Sequence, residues 1–252
     1  MRKIISFANH KGGVGKTTSA VSIAAALAEE GKNVLLVDID PLGSATLFLG
    51  IESDGSALLE ALQKTAPLPV TSTAVKGLDL VASGPRLGEA RRRFTYSIGS
   101  ELLGKSLNAT EGPWEWIMLD CPPGVDVLTL SALKASRTVL IPAEANHLGL
   151  HGLNQMLADL KSSHSEIPFI EVVGIIPCRA QPRRRMHGEI MKRFEELFPN
   201  KVTPIIRENV SLAEAPGAGR PVTLHARTSH GAHDYRTVAK WLLDRNGEVI
   251  VF

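Results

Sequence analysis

A chain of 252 residues is long enough for one substantial α/β domain or two small ones. Its 44% hydrophobic, 21% charged and 5% aromatic residues suit a soluble globular protein with helices packed on a buried sheet, and not a reader that stacks nucleobases on aromatic rings. Two cysteines, Cys121 and Cys178, argue against a disulfide framework or a structural zinc site, and so point to a reducing cytoplasm. The first apolar stretch is too short for a signal peptide, and no run of about 18 apolar residues is present to span a membrane. The net charge of +2 is unevenly spread: residues 171–252 carry 13 Lys+Arg against 9 Asp+Glu, a modestly basic last third that hints at a polyanionic partner.

In chain order, residues 3–8 read as a short buried strand running into a glycine-rich loop. A helix follows over 16–30, rich in small and apolar residues and ended by Gly31. Residues 33–38 form a second strand, apolar throughout and therefore covered on both faces. The alternation continues with a helix at 57–63, a strand at 78–82, a long helix over 86–107 and a strand at 116–120. Next come a helix at 127–135, a strand at 138–142, a helix at 150–162 and a strand at 170–176. A helix at 186–197, a strand at 202–206 and a helix at 232–245 complete the series, and 67–73 and 215–221 are the turn-rich stretches. This pattern predicts a single α/β domain over residues 1–252, with a mostly parallel twisted sheet and helices on both faces.

Residues 11–18, KGGVGKTT, lie between the first strand and the first helix. Glycines let successive N–H groups curl around a phosphate, and the helix end adds a favourable dipole. In such a P-loop Gly12, Gly13, Val14, Gly15 and Thr18 cradle the phosphates, Lys16 reaches the β- and γ-phosphates, and the Thr17 hydroxyl ligates Mg²⁺. His10 stands where the general GxxxxGK[ST] pattern has its first glycine. The motif is similar to the deviant Walker A motif of the ParA/MinD family, in which an extra lysine precedes the glycines. That resemblance implies that Lys11 crosses a dimer interface to the phosphates of the partner's ATP, so that ATP completes the interface and hydrolysis weakens it. A second cation there compensates phosphate charge that one lysine and one Mg²⁺ leave uncovered.

The second strand ends in VDIDP, which resembles the family's DxDPQG segment. An Asp at the carboxyl end of a parallel strand projects into the crevice where open α/β sheets bind ligands. By resemblance, Asp40 positions or polarises the attacking water and Asp38 helps to hold magnesium through water. Leu42 and Ser44 occupy places where the family commonly shows Gln and Asn. Asp120, ending the apolar run WIML ahead of Cys-Pro-Pro-Gly, reads as a Walker B carboxylate that orders the magnesium water shell.

Residues 203–221 are similar to a late family segment, which implies that Pro204, Arg207 and Asn209 lie near the adenine and the dimer face. Arg179 and Gln181 fall where relatives contact the base. Arginine runs at 91–93 and 183–185 fit solvated faces or phosphate-backbone contacts, and Arg183, Arg184 and Arg207 are the expected DNA contacts. Without interleaved aromatics such binding is electrostatic and sequence-independent. Buried thiols at Cys121 and Cys178, not iron–sulfur ligands, and surface histidines at His147 and His151, not a zinc pair, complete the reading.

The resemblance covers nearly the whole chain and implies a ParA/Soj-type partitioning ATPase that uses ATP and Mg²⁺. It implies a homodimer when ATP-bound, nonspecific binding of double-stranded DNA, and a ParB-like or cargo-adaptor protein that stimulates hydrolysis. The implied location is cytoplasmic and nucleoid-associated, with no membrane partner. A MinD-like membrane switch is the alternative, but it needs a basic amphipathic terminal helix, and the end of this chain, GEVIVF, reads as a strand. A metabolic P-loop enzyme would need substrate-binding residues that the sequence does not display.

Overall fold

The computed structural model describes residues 2–94, 96–162 and 169–245. Strand β1 (Lys3–Phe7) enters the glycine loop, α1 (Lys16–Glu29) leaves it, and β2 (Val34–Asp38) returns. Gly31 ends α1 as expected: at φ +79° it turns the chain, and the Lys32 N–H closes on the Leu27 carbonyl. Short α2 (Ser44–Phe48), α3 (Ser56–Lys64), β3 (Val70–Ser72) and β4 (Leu78–Val81) follow. A 3-10 turn at Pro85–Glu89 leads into α4 (Ala90–Arg93), α5 (Tyr96–Ala109), β5 (Trp116–Asp120), α6 (Val127–Ser136) and β6 (Thr138–Glu144). The last part comprises α7 (His147–Ser162), β7 (Glu171–Cys178), α8 (Arg185–Leu197), α9 (Val210–Glu214), α10 (Val222–His225) and α11 (His230–Asp244).

The strands form one sheet in the order β3-β4-β2-β5-β1-β6-β7, parallel except for the β3–β4 pair at one edge. In the central strands successive side chains enter opposite cores, as the two-residue strand period requires. In β2, Leu35 and Val37 face the layer that holds Leu103, Leu133 and Met156, while Val34 and Leu36 face that of Val21, Leu27 and Val238. Helices α1 and α11 thus cover one face and α5, α6 and α7 the other, which is why β2 and β5 are apolar up to their terminal Asp38 and Asp120. Among the described residues no helix is long and apolar enough to cross a membrane.

Four expectations need correction. The helix over 86–107 is broken at Phe94, whose backbone is extended, because α5 must turn to pack against α6. That packing is close: a Cβ on Gly99 would stand 2.4 Å from Val127 Cγ2. Residues 202–206 make one isolated bridge, Val202 to Ile175 of β7, and no strand: the Thr203 N–H donates to the Ile175 carbonyl at 2.9 Å, but the next donor is Ile206, to the Pro177 carbonyl at 2.8 Å, so the pairing slips by a residue after Pro204. The turn-rich stretch at 67–73 contains β3, a three-residue antiparallel edge too short to show alternation. Strand β6 runs on past Pro142, because its pairing with β1 ends at Leu140 and the proline carbonyl instead accepts Asn9 Nδ2 at 2.7 Å. The expected terminal strand in GEVIVF lies outside the described residues.

Candidate functional site

The crevice forms at the carboxyl ends of β1, β2 and β5, where the chain crosses from one half of the sheet to the other. A cavity of about 860 Å³ opens there. Gly12, Gly13, Val14, Gly15, Lys16, Thr17 and Thr18 all line it, together with Asp40 and Leu42. Gly13 and Gly15 adopt φ +74° and +100°, a region that residues with a Cβ rarely enter. No side chain caps the start of α1, so its first-turn N–H groups remain open toward the cavity, an anion-binding arrangement. Lys16 is buried and its Nζ donates to the Lys11 carbonyl at 3.3 Å, folding the side chain over its own loop. Burial lowers the Lys16 pKa, against the opposing pull of Asp120, Cys121 and Asp40.

Asp38 and Asp120 are partners in the β2–β5 register, so two buried carboxylates stand side by side under the loop. Asp38 accepts the Thr46 N–H at 2.9 Å, the Thr46 hydroxyl at 2.8 Å and the Asp40 N–H at 3.1 Å. Burial nevertheless raises its pKa to about 6, and the neighbouring Asp40 adds to the rise. Asp120 has no hydrogen-bond partner on either carboxylate oxygen. Burial and then the Asp38 charge push its pKa well up; Thr17 and Lys16 oppose this from nearby without satisfying it by hydrogen-bond geometry. An unpartnered carboxylate inside a protein calls for a cation, and beside Thr17 and Asp38 it fits a hydrated magnesium ion. Asp40 reaches the cavity wall, with one oxygen held by the Leu42 N–H at 3.0 Å.

Lys11 turns away from the cradle: its Nζ lies 2.8 Å from Glu144 at the end of β6. Glu144 also takes Arg179 at 2.9 Å. Burial would raise the Glu144 pKa, but the Lys11 hydrogen bond and the two cationic charges outweigh it and the carboxyl titrates below its usual range. His10, at the unusual position, bonds Asp159 of α7 at 2.9 Å.

The late segment contributes Ile206, Arg207, Glu208, Asn209 and Val210 to the cavity wall, with Arg179 beside them. Pro204 is not among these lining residues; the wall begins two residues later. Asn209 caps α9 by accepting the Ser211 N–H at 2.9 Å. The Arg207 guanidinium is committed to buried Asp234, whose carboxylate it meets at 2.5 to 3.2 Å, so of the three expected DNA contacts it is the one already engaged. Arg183 and Arg184 are exposed before α8. Gln181 bonds Glu208 and does not line the cavity. In the other arginine run, Arg91 pairs with Asp126 and Arg93 with Glu89. Cys121 and Cys178 are buried free thiols whose pKa burial raises, Cys178 to about 12, and His147 and His151 are exposed.

Sequence reasoning missed Glu144, Thr46, Ser83, Asp234 and Tyr235. Glu144 carried the same signal as Asp38, an acidic residue closing a parallel strand, but Pro142 ended the expected strand too early. Asp234 and Tyr235 lie inside α11, where nothing local marks that Asp234 holds Arg207 or that Tyr235, bonded to Ser19 of α1 at 3.1 Å, lines the cavity.

A family model described as an AAA domain matches residues 2–169. The sporulation initiation inhibitor protein Soj of Bacillus subtilis is 35% identical over 247 residues, covering 95% of this chain and 98% of that protein. The chromosome-partitioning ATPase Soj of Thermus thermophilus is 36% identical over 243 residues, with 96% and 95% covered. Among solved structures, apo McdA from Cyanothece superposes with a TM-score of 0.84 at 25% identity, over 96% of this chain and all of that one. A cobyrinic acid a,c-diamide synthase from Mycobacterium smegmatis with ADP and magnesium gives 0.81 at 27% identity, over 98% and 96% of the two chains.

Proposed function

This chain belongs to the Soj/ParA family of chromosome-partitioning ATPases, and from that membership we propose that Mg-ATP joins two copies face to face into a form that holds DNA. In this cycle the open amides of the cradle and Lys16 bind the polyphosphate. Thr17, Asp38 and Asp120 would hold magnesium and its water shell. Magnesium, when bound, neutralises charge on the phosphoryl oxygens in flight. Asp40, at the cavity wall, orients the attacking water and takes its proton. Lys11 leaves Glu144 for the phosphates of the ATP held by the second copy, and returns when hydrolysis has cleaved off the γ-phosphate. A ParB-like or cargo-adaptor partner accelerates that step, so the copies part and leave the nucleoid.

The observation that carries this reading is the Lys11 side chain, which is 41% exposed and turns its ammonium off its own cradle. Leu42 and Val210 support it: both line the cavity and both are 73% exposed, large apolar groups at the rim of a polar site that a second copy would cover. The test is light scattering with calorimetry in Mg-ATP. The parent chain dimerises, Asp40→Ala stays dimeric because turnover is lost, and Lys11→Ala binds ATP as a monomer. Lys16→Ala binds no ATP and forms no dimer. Undiminished ATP affinity in Lys16→Ala would remove the cradle from nucleotide binding, and an ATP-dependent dimer of Lys11→Ala contradicts its reach into the second copy.

A further inference from the structure

Ser83, two residues beyond β4, is buried and touches the carboxylate loop twice. Its hydroxyl donates to the Asp40 carbonyl at 2.8 Å, and its N–H donates to Thr46 Oγ1 at 2.9 Å. Thr46 Oγ1 in turn donates to Asp38 Oδ2 at 2.8 Å, and Asp38 Oδ1 accepts the Asp40 N–H at 3.1 Å. The ring is closed, and its hydrogens can be arranged in one way only. A carbonyl and an ionised carboxylate can only accept, so the Ser83 hydroxyl donates to Asp40 and the Thr46 hydroxyl, whose oxygen takes the Ser83 N–H, donates to Asp38.

Ser83 is also fixed from behind. A Cβ on the adjacent Gly84 would stand 2.3 Å from the Ser53 carbonyl oxygen and 2.7 Å from the Gly55 nitrogen, so the two loops meet backbone to backbone. On the other side, Gly43 comes close enough that a Cβ there would be 3.2 Å from the Ser83 carbonyl oxygen. Neither Ser83 nor Thr46 lines the nucleotide cavity, whereas Asp40 does.

We propose that Ser83 and Thr46 are positioning residues for hydrolysis, which set the aim of Asp40 by holding its backbone and the adjacent Asp38 without touching nucleotide. The inference rests on the role given to Asp40 above. The direction of the Asp40 carboxylate follows from the backbone at residues 38–42, and the ring holds that backbone at the Asp40 carbonyl and N–H together. A small misplacement of a catalytic group has a large kinetic effect, while ground-state binding by the separate glycine cradle is unaffected.

The experiment measures steady-state Mg-ATP hydrolysis, ATP affinity by calorimetry and thermal unfolding for five variants of the full chain. Ser83→Ala and Thr46→Val each remove one hydroxyl, the second at constant shape. Each lowers kcat roughly tenfold, with KM and ATP affinity within about twofold of the parent. Thr46→Ser, which keeps the hydroxyl, restores most of the lost kcat. Ser106→Ala deletes an equally buried serine hydroxyl from the Ala61 carbonyl, between α5 and α3 and outside the cavity wall, and leaves kcat unchanged. Parental kcat in Ser83→Ala and Thr46→Val, beside a dead Asp40→Ala, overturns this inference alone. An equal kcat loss in Ser106→Ala overturns it too, because the effect is then general destabilisation. Parental turnover in Asp40→Ala removes the role of Asp40 and this inference with it.

Discussion

A buried carboxylate without a hydrogen-bond partner is costly to fold, and at Asp120 the nearby Thr17 and Lys16 offset only part of that cost. Its neighbour Asp38 has three donors and still titrates high, at about 6, because burial dominates. In the unfolded chain both titrate near the ordinary carboxylate value. The native state therefore binds more protons between that value and the raised one, and stability falls as pH rises through this window, by up to ~1.4 kcal/mol per pH unit for each group. For Asp38 the window runs from 3.8 to about 6. Removing the charge should stabilise the nucleotide-free protein while destroying its use of magnesium, the usual conflict between a site and its fold. Asp120→Asn is expected to melt above the parent in magnesium-free buffer at about pH 7, with the gain vanishing as pH is lowered toward about 4. A lower melting temperature at neutral pH would show that Asp120 has a structural partner after all.

At the scale of elements, the loop after β5 is closed by α6, and Asp126 is where the two meet. Its Oδ1 accepts the N–H groups of Leu128 and Thr129, both at 3.0 Å, and its other oxygen pairs with Arg91 of α4. The segment from Ser83 to Arg93 thus reaches both carboxylate-bearing loops, Ser83 at the end of β2 and Arg91 after β5. This is why the chain between β4 and α5 is folded as short turns and not as the continuous helix its sequence suggests. Loss of the cap in Asp126→Ala should cost about 1 kcal/mol in urea unfolding, with the exposed Arg91 contact adding little. A change well beyond that would mean the loop after β5 unfolds with the cap.

The charge of the whole molecule is small, and the excess of the last third is presented by exposed side chains such as Arg183 and Arg184. A single copy with so few cations should hold DNA poorly at physiological salt. Two aligned copies could neutralise several phosphates and release their counterions, making affinity steep in salt. DNA retention by the Asp40→Ala chain is therefore expected to require ATP and to fall sharply between about 50 and 200 mM salt, with Arg183→Ala and Arg184→Ala each reducing it. Arg207→Ala should instead loosen the late segment, because its partner Asp234 is buried and would be left uncompensated. Equal retention without nucleotide, or a flat salt response, would count against a nucleotide-gated electrostatic clamp.

What the amino-acid order determined by itself was everything carried by short-range rules. Apolar strands alternating with helices require a parallel sheet covered on both faces, glycines at 13 and 15 permit the positive φ of the cradle, and an Asp at a strand's carboxyl end projects into the crevice. Gly31 marked the end of α1 for the same local reason. Tertiary structure decided whatever depends on a partner far along the chain. Glu144 lies 133 positions from the Lys11 it holds, Ser83 is 43 from Asp40, and Asp234 is 27 from Arg207. No periodicity encodes such pairs, because the sheet order places strands together that the sequence keeps apart. The break at Phe94 and the lost strand at 202–206 were likewise decided by tertiary packing, of α5 on α6 and of a segment that slips by a residue along the β7 edge.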